Sequence, residues 1–134
     1  MSARRHLNLL AIVTLAWAVF WVIGLPDYYR QYSDGFMVIF DLAILFPLWY
    51  LVFRILKRVR RHAKLAVASW LAFYITVPLL LYDVLYCGVY LGYGAGFFAE
   101  FWYLSVYYVV PWIILPPTGL WLDRRPAIRQ PTAR

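Results

Sequence analysis

Cysteine is all but missing from this 134-residue chain, with Cys87 its single example. A lone thiol excludes an intrachain disulfide and any four-cysteine or Cys/His zinc site. Histidine is scarce too. His6 and His62 both stand beside arginines, outside the apolar runs, so no in-membrane pair exists for axial ligation and no haem is expected. A hydrolase triad has no candidate histidine within those runs, and the phosphate-loop, GxSxG, HExxH and CxxC signatures are absent. Acids are few, six against thirteen Lys and Arg.

Apolar surface is what the chain has in excess. Hydrophobic residues make up 65% of it, against about 45–50% in a soluble domain. A water-soluble fold of this size cannot hide so much. The expected fold class is an all-α integral membrane protein, a four-transmembrane-helix antiparallel bundle. Runs over about 7–25, 36–56, 64–92 and 97–122 each approach or exceed the roughly 20 residues a spanning helix needs. Residues 1–122 then form one membrane domain, and 123–134 a basic cytoplasmic tail. The first run has the charged start of a signal peptide, and Ala16-Trp17-Ala18 loosely imitates a cleavage site. It continues through Leu25, however, and is expected to be retained as a span.

Charge placement sets the expected orientation. Twelve of the thirteen Lys and Arg lie in the N-terminus, the middle loop and the tail, and Arg30 alone falls on the other side. Arg54, Lys57, Arg58, Arg60, Arg61 and Lys64 make the middle cluster, read as a topology and lipid-headgroup signal. Both termini are therefore expected in the cytoplasm, in a bacterial cytoplasmic membrane. A nucleic-acid role is not expected, because the charge is accounted for by topology.

The third run organises the rest. Ser69, Thr76, Asp83 and Tyr90 are spaced by seven, so they share one line on a helix, and that line should face protein. Pro47, Pro78 and Pro111 fall near the middles of the second, third and fourth spans and are expected to kink them. The carbonyls four residues earlier, of Ala43, Tyr74 and Tyr107, would be freed for other partners. Gly92 to Gly96 read as a tight turn into an antiparallel neighbour.

Asp41, Asp83 and Glu100 are the informative residues, for all three fall inside predicted spans. Counted from the outer ends, they lie about 7, 13 and 5 Å deep. An acid at mid-membrane costs about 2.5–3.5 kcal/mol to insert. No Lys or Arg lies at that depth to pair with them. Such an acid can be protonated, hold a cation or amine, or bond to hydroxyls, and tyrosines are plentiful nearby. Glu100, Tyr103 and Tyr107 share a helix face, and Cys87 is one turn from Asp83. The expected site is thus one outward-open polar patch of Asp83, Cys87, Tyr90, Glu100, Tyr103 and Tyr107, completed by Asp41. Whether it takes a proton or a metal cation, and which cofactor it uses, the residues leave open.

Three functions are compatible. The first is a non-enzymatic subunit or scaffold of a membrane complex, with membrane lipids and further copies or other membrane chains as partners. The second is an oligomeric small-solute or cation/proton-coupled transporter or channel using Asp83. The third is a lipid- or quinone-modifying enzyme, for which Trp17, Trp49, Trp70 and Trp112 could form an aromatic surface.

Overall fold

Backbone N–H and C=O groups inside a long apolar run have no water to bond, and helix formation satisfies them within the segment. The computed structural model describes residues 3–124; most of the basic tail read from the sequence lies outside them. The elements are α1 (Ala3–Gly24), α2 (Asp34–Arg58), α3 (Lys64–Asp83), a π-helical continuation (Val84–Tyr90), a 3-10 turn (Gly94–Gly96), α4 (Phe97–Glu100) and α5 (Trp102–Arg124). No strand occurs among the described residues. Four helices are long and apolar enough to cross a membrane: Ala3–Gly24, Asp34–Arg58, Lys64–Tyr90 and Trp102–Arg124. Pro47, Pro78 and Pro111 all stand inside continuous helices, and α5 carries Pro116 and Pro117 besides.

Two boundaries differ from expectation. The fourth long helix begins at Trp102 rather than Phe97, because Phe101 leaves helical geometry at φ −113° and ψ 52°. That break lets the Phe101 ring bury itself against Tyr93 and Tyr28, with ring centres 5.2 and 5.8 Å away. The second difference follows Asp83, where the helix widens into π geometry. A π turn holds more residues than an α turn, so side chains beyond it fall behind the heptad line. Thr76 and Asp83 are buried accordingly, whereas Tyr90 is 78% exposed.

Side-chain bonds give the relative directions. His6–Tyr74, Thr14–Tyr82 and Trp17–Asp83 pairs ascend together, so α1 runs parallel to α3. Asp34–Trp102 and Trp49–Thr118 likewise set α2 parallel to α5. Asp83–Tyr108 and Thr76–Trp112 run in opposite order, so α3 and α5 are antiparallel. These two also pack most extensively, with α1 against α3 and α2 mainly against α5.

Each end of the α3–α5 pair has its own device. At one end Asp123 of α5 accepts from the backbone N–H of His62 (2.9 Å) and of Leu65 (3.1 Å), satisfying donors that the start of α3 leaves open. At the other, the segment after α1 folds inward. Tyr28 and Tyr29 adopt left-handed φ values of 51° and 72°, and both are buried. Gly24 admits this, since a Cβ there would stand 2.6 Å from the Tyr29 ring. Ser33 then caps α2 by accepting from the N–H of Phe36.

Apolar side chains cover the outside. Leu7, Ile12, Leu15, Ile39, Phe46 and Val89 are each more than half exposed. Within the apolar windows of the four long helices only 11–22% of residues are buried. Faces this apolar need lipid or another chain against them.

Candidate functional site

Asp83 sits at the last turn of α3 and is 3% exposed. Its Oδ1 accepts from Trp17 Nε1 of α1 at 2.8 Å and from the Tyr28 hydroxyl at 2.5 Å, and its Oδ2 accepts from the Tyr108 hydroxyl of α5 at 2.6 Å. Three elements thus meet on one carboxyl. Tyr28 is itself fixed, because the Tyr103 hydroxyl donates to its carbonyl at 2.6 Å and the Tyr86 ring lies 4.9 Å from its own. Burial first, and the neighbouring Asp83 second, hold the Tyr28 phenol far above its ordinary range. Cys87 is fully buried beside this group.

The expected single patch is not what the structure builds. Asp83, Cys87 and Tyr103 are brought into one buried neighbourhood. Tyr90 is turned out of it by the π turn and stacks on Tyr86 at 5.6 Å. Glu100 is not within the fourth long helix: it lies in α4, exposed, and forms a 2.7 Å ion pair with Arg30. The missing basic partner therefore comes from the connection after α1, where Arg30 also donates to the Tyr93 hydroxyl. Tyr107 faces Asp41, not Asp83. Asp41 is 4% exposed, and the Tyr107 hydroxyl interacts with it without reaching regular hydrogen-bond geometry. The acids thus occupy three separate settings: Asp83 saturated by donors, Glu100 ion-paired at the surface, and Asp41 buried beside the Tyr107 phenol. Among the described residues no group of three His, Cys, Asp or Glu converges to hold a metal ion.

Trp17, Tyr28 and Tyr108 are the partners that sequence reasoning did not assign to Asp83. Trp17 carried a signal, since an indole N–H inside an apolar run has to find an acceptor. Tyr28 carried none, as nothing in Asp27-Tyr28-Tyr29 announces two consecutive left-handed residues.

Tyr29 offers a test of this end of the molecule. Its hydroxyl donates to the Phe20 carbonyl at 2.7 Å, and burial, with smaller contributions from Tyr32 and Asp83, pushes its phenol up to about 12. A folded value above the unfolded one means the stabilisation is complete below about pH 10 and is lost as pH rises toward 12. Phenolate absorbance at alkaline pH should show a late-titrating class with one member fewer in Tyr29→Phe, and the fold should loosen over the same interval. Titration of every tyrosine near its ordinary value would contradict this packing.

Comparison with known proteins returns no matching family, curated protein or solved structure. The functional reading therefore rests on the residues themselves.

Proposed function

We propose that this chain is a non-enzymatic subunit or scaffold of a membrane complex, a four-helix antiparallel bundle with both ends in the cytoplasm. The observation that carries the reading is the closure of Asp83. A carboxyl whose two oxygens already accept from Trp17, Tyr28 and Tyr108 is occupied in cross-linking helices. Transport through it would require those three bonds to open and re-form in each cycle. The exposed apolar faces of α1 and α2 supply the other half of the reading, for they offer docking area to lipid or other membrane chains. The two charged ends support the orientation. Arg54 to Arg61 gather near the Asp123 end, and Arg30 lies at the opposite one.

One observation favours transport instead: π-helical turns occur often at functional sites, and this one starts directly after Asp83. Native purification in mild detergent separates the two readings. The subunit reading expects a stoichiometric partner chain that also co-purifies with Asp83→Asn. A pure homo-oligomer that moves protons or cations in liposomes, with flux abolished by Asp83→Asn, would overturn it. Orientation is checked in a Cys87→Ser background with a membrane-impermeant maleimide on whole cells, where Gln31→Cys should label and Arg60→Cys should not.

A further inference from the structure

The geometry points to a second site, a groove between α2 and α5 that binds an amphiphile with a primary ammonium head through Asp41. The groove has a volume of about 400 Å³, within the roughly 300–1,000 Å³ range of small-molecule sites. Leu42, Phe46, Trp49, Val106 and Val110 line it, and Asp41 is the one charged residue in its wall. Asp41 stands seven residues into α2, about 10 Å along the helix axis. It is nine-tenths buried and has no basic residue paired with it.

The unsatisfied atoms select the head group. Neither Asp41 oxygen has a regular hydrogen bond, and the Tyr107 hydroxyl beside them can supply one donor at most. A primary ammonium carries three N–H donors on one atom. A hydroxyl carries one, and a quaternary ammonium none. The same head neutralises the carboxyl, which apolar walls alone cannot do. Its oxygens are closed to solvent now, so binding turns the Asp41 side chain by a rotamer toward the groove.

The lining also selects the body. No Lys, Arg, Ser or Thr borders the groove, and the Trp102 indole N–H is already donated to Asp34 at 3.2 Å. The phosphate of an aminophospholipid would have no partner there, so the ligand is a singly charged amine on a hydrocarbon or aryl body. A second copy of the chain is a poor occupant, because Arg30, the basic residue at this end of the molecule, is already paired with Glu100. The site shares no bonded residue with the Asp83 cluster and stands independently of the subunit reading.

The test uses the full chain in nanodiscs of phosphatidylcholine and phosphatidylglycerol, which lack primary amines. Nitroxide-labelled stearylamine is the probe, compared with the alcohol and the trimethylammonium of the same tail. Electron spin resonance reads the motionally restrained fraction. The amine should bind at least about tenfold more tightly than either control, the size of one charge-assisted hydrogen bond. Asp41→Asn should reduce it to the level of the alcohol. Equal restraint of amine and alcohol, or of amine and trimethylammonium, overturns the proposal, as does an unchanged amine in Asp41→Asn. Should Asp41→Asn fail to fold, the comparison of heads on the native chain decides. Displacement of the probe by phosphatidylethanolamine would also overturn it, in favour of a lipid headgroup. A stable partner chain in the pull-down leaves this test unaffected, so the two readings can fail separately.

Discussion

Asp83→Leu is expected to lower stability by about 2–5 kcal/mol, taking about 0.6–1.7 kcal/mol for each of three interhelical bonds in a membrane protein. The spread depends on what happens to the donors. Trp17 Nε1 and the Tyr28 and Tyr108 hydroxyls all point at the carboxyl that the mutation removes. If the helices cannot relax, three polar groups are left buried without acceptors, and the upper end of the range applies. Asp83→Asn keeps one acceptor oxygen and should lose about half as much. Unfolding in mixed micelles with increasing dodecyl sulfate, followed by tryptophan fluorescence, measures both variants. Tyr28→Phe and Tyr108→Phe should each lose about 1 kcal/mol, with the effects coupled through the shared carboxyl. An Asp83→Leu chain as stable as the native one would show that the cluster contributes nothing to holding the helices together.

Gly119→Val should be comparably damaging by a different route. A Cβ at Gly119 would lie 2.8 Å from the Lys64 carbonyl oxygen, 2.8 Å from the Ala68 Cβ and 3.0 Å from the Leu65 Cα. Two of these atoms belong to the backbone of α3, which cannot yield as a flexible side chain does. The helices have to separate, and Asp123, one turn further along α5, is drawn off the N–H groups of His62 and Leu65. Overpacking of this kind costs about 1–3 kcal/mol, and the backbone contact places valine at the upper end. Gly119→Ala should be milder, and combining it with Ala68→Gly should restore only part of the loss, since the Lys64 carbonyl remains in the way. The same unfolding assay measures the series. Native stability in Gly119→Val would mean that α3 and α5 do not approach each other here.

The four long helices were legible because each depends on a property averaged over some twenty residues. Apolar runs broken by Pro26, the arginine cluster and the glycines after Leu91 leave few other readings. Boundaries set by one residue were not legible. The break at Phe101 arises from a ring burying itself against partners up to 73 positions away, Tyr28 among them, and the local sequence continues as a good helix. The heptad line through Ser69, Thr76, Asp83 and Tyr90 holds for two of its members in the core and fails at Tyr90. Periodicity assumes a constant number of residues per turn, and the π geometry of Val84–Tyr90 changes that number.

The site was legible residue by residue but not as a constellation. Asp83 and Asp41 stand out in any apolar run, and both are buried. Their division into separate settings depends on which helix lies beside which, and spacing along one chain does not encode that. Glu100 shows the same limit from the other side. Its partner, Arg30, was visible as the one basic residue apart from the clusters, yet 70 positions separate the two.

Among the helices, α1 brings its backbone close to α3 alone, and it is fastened there by the polar bonds of His6, Thr14 and Trp17 beside ring contacts such as Trp17 with Tyr82. Tyr74, Tyr82 and Asp83 all follow α1 in the chain, so the three bonds that fasten it can close only after α3 has been made.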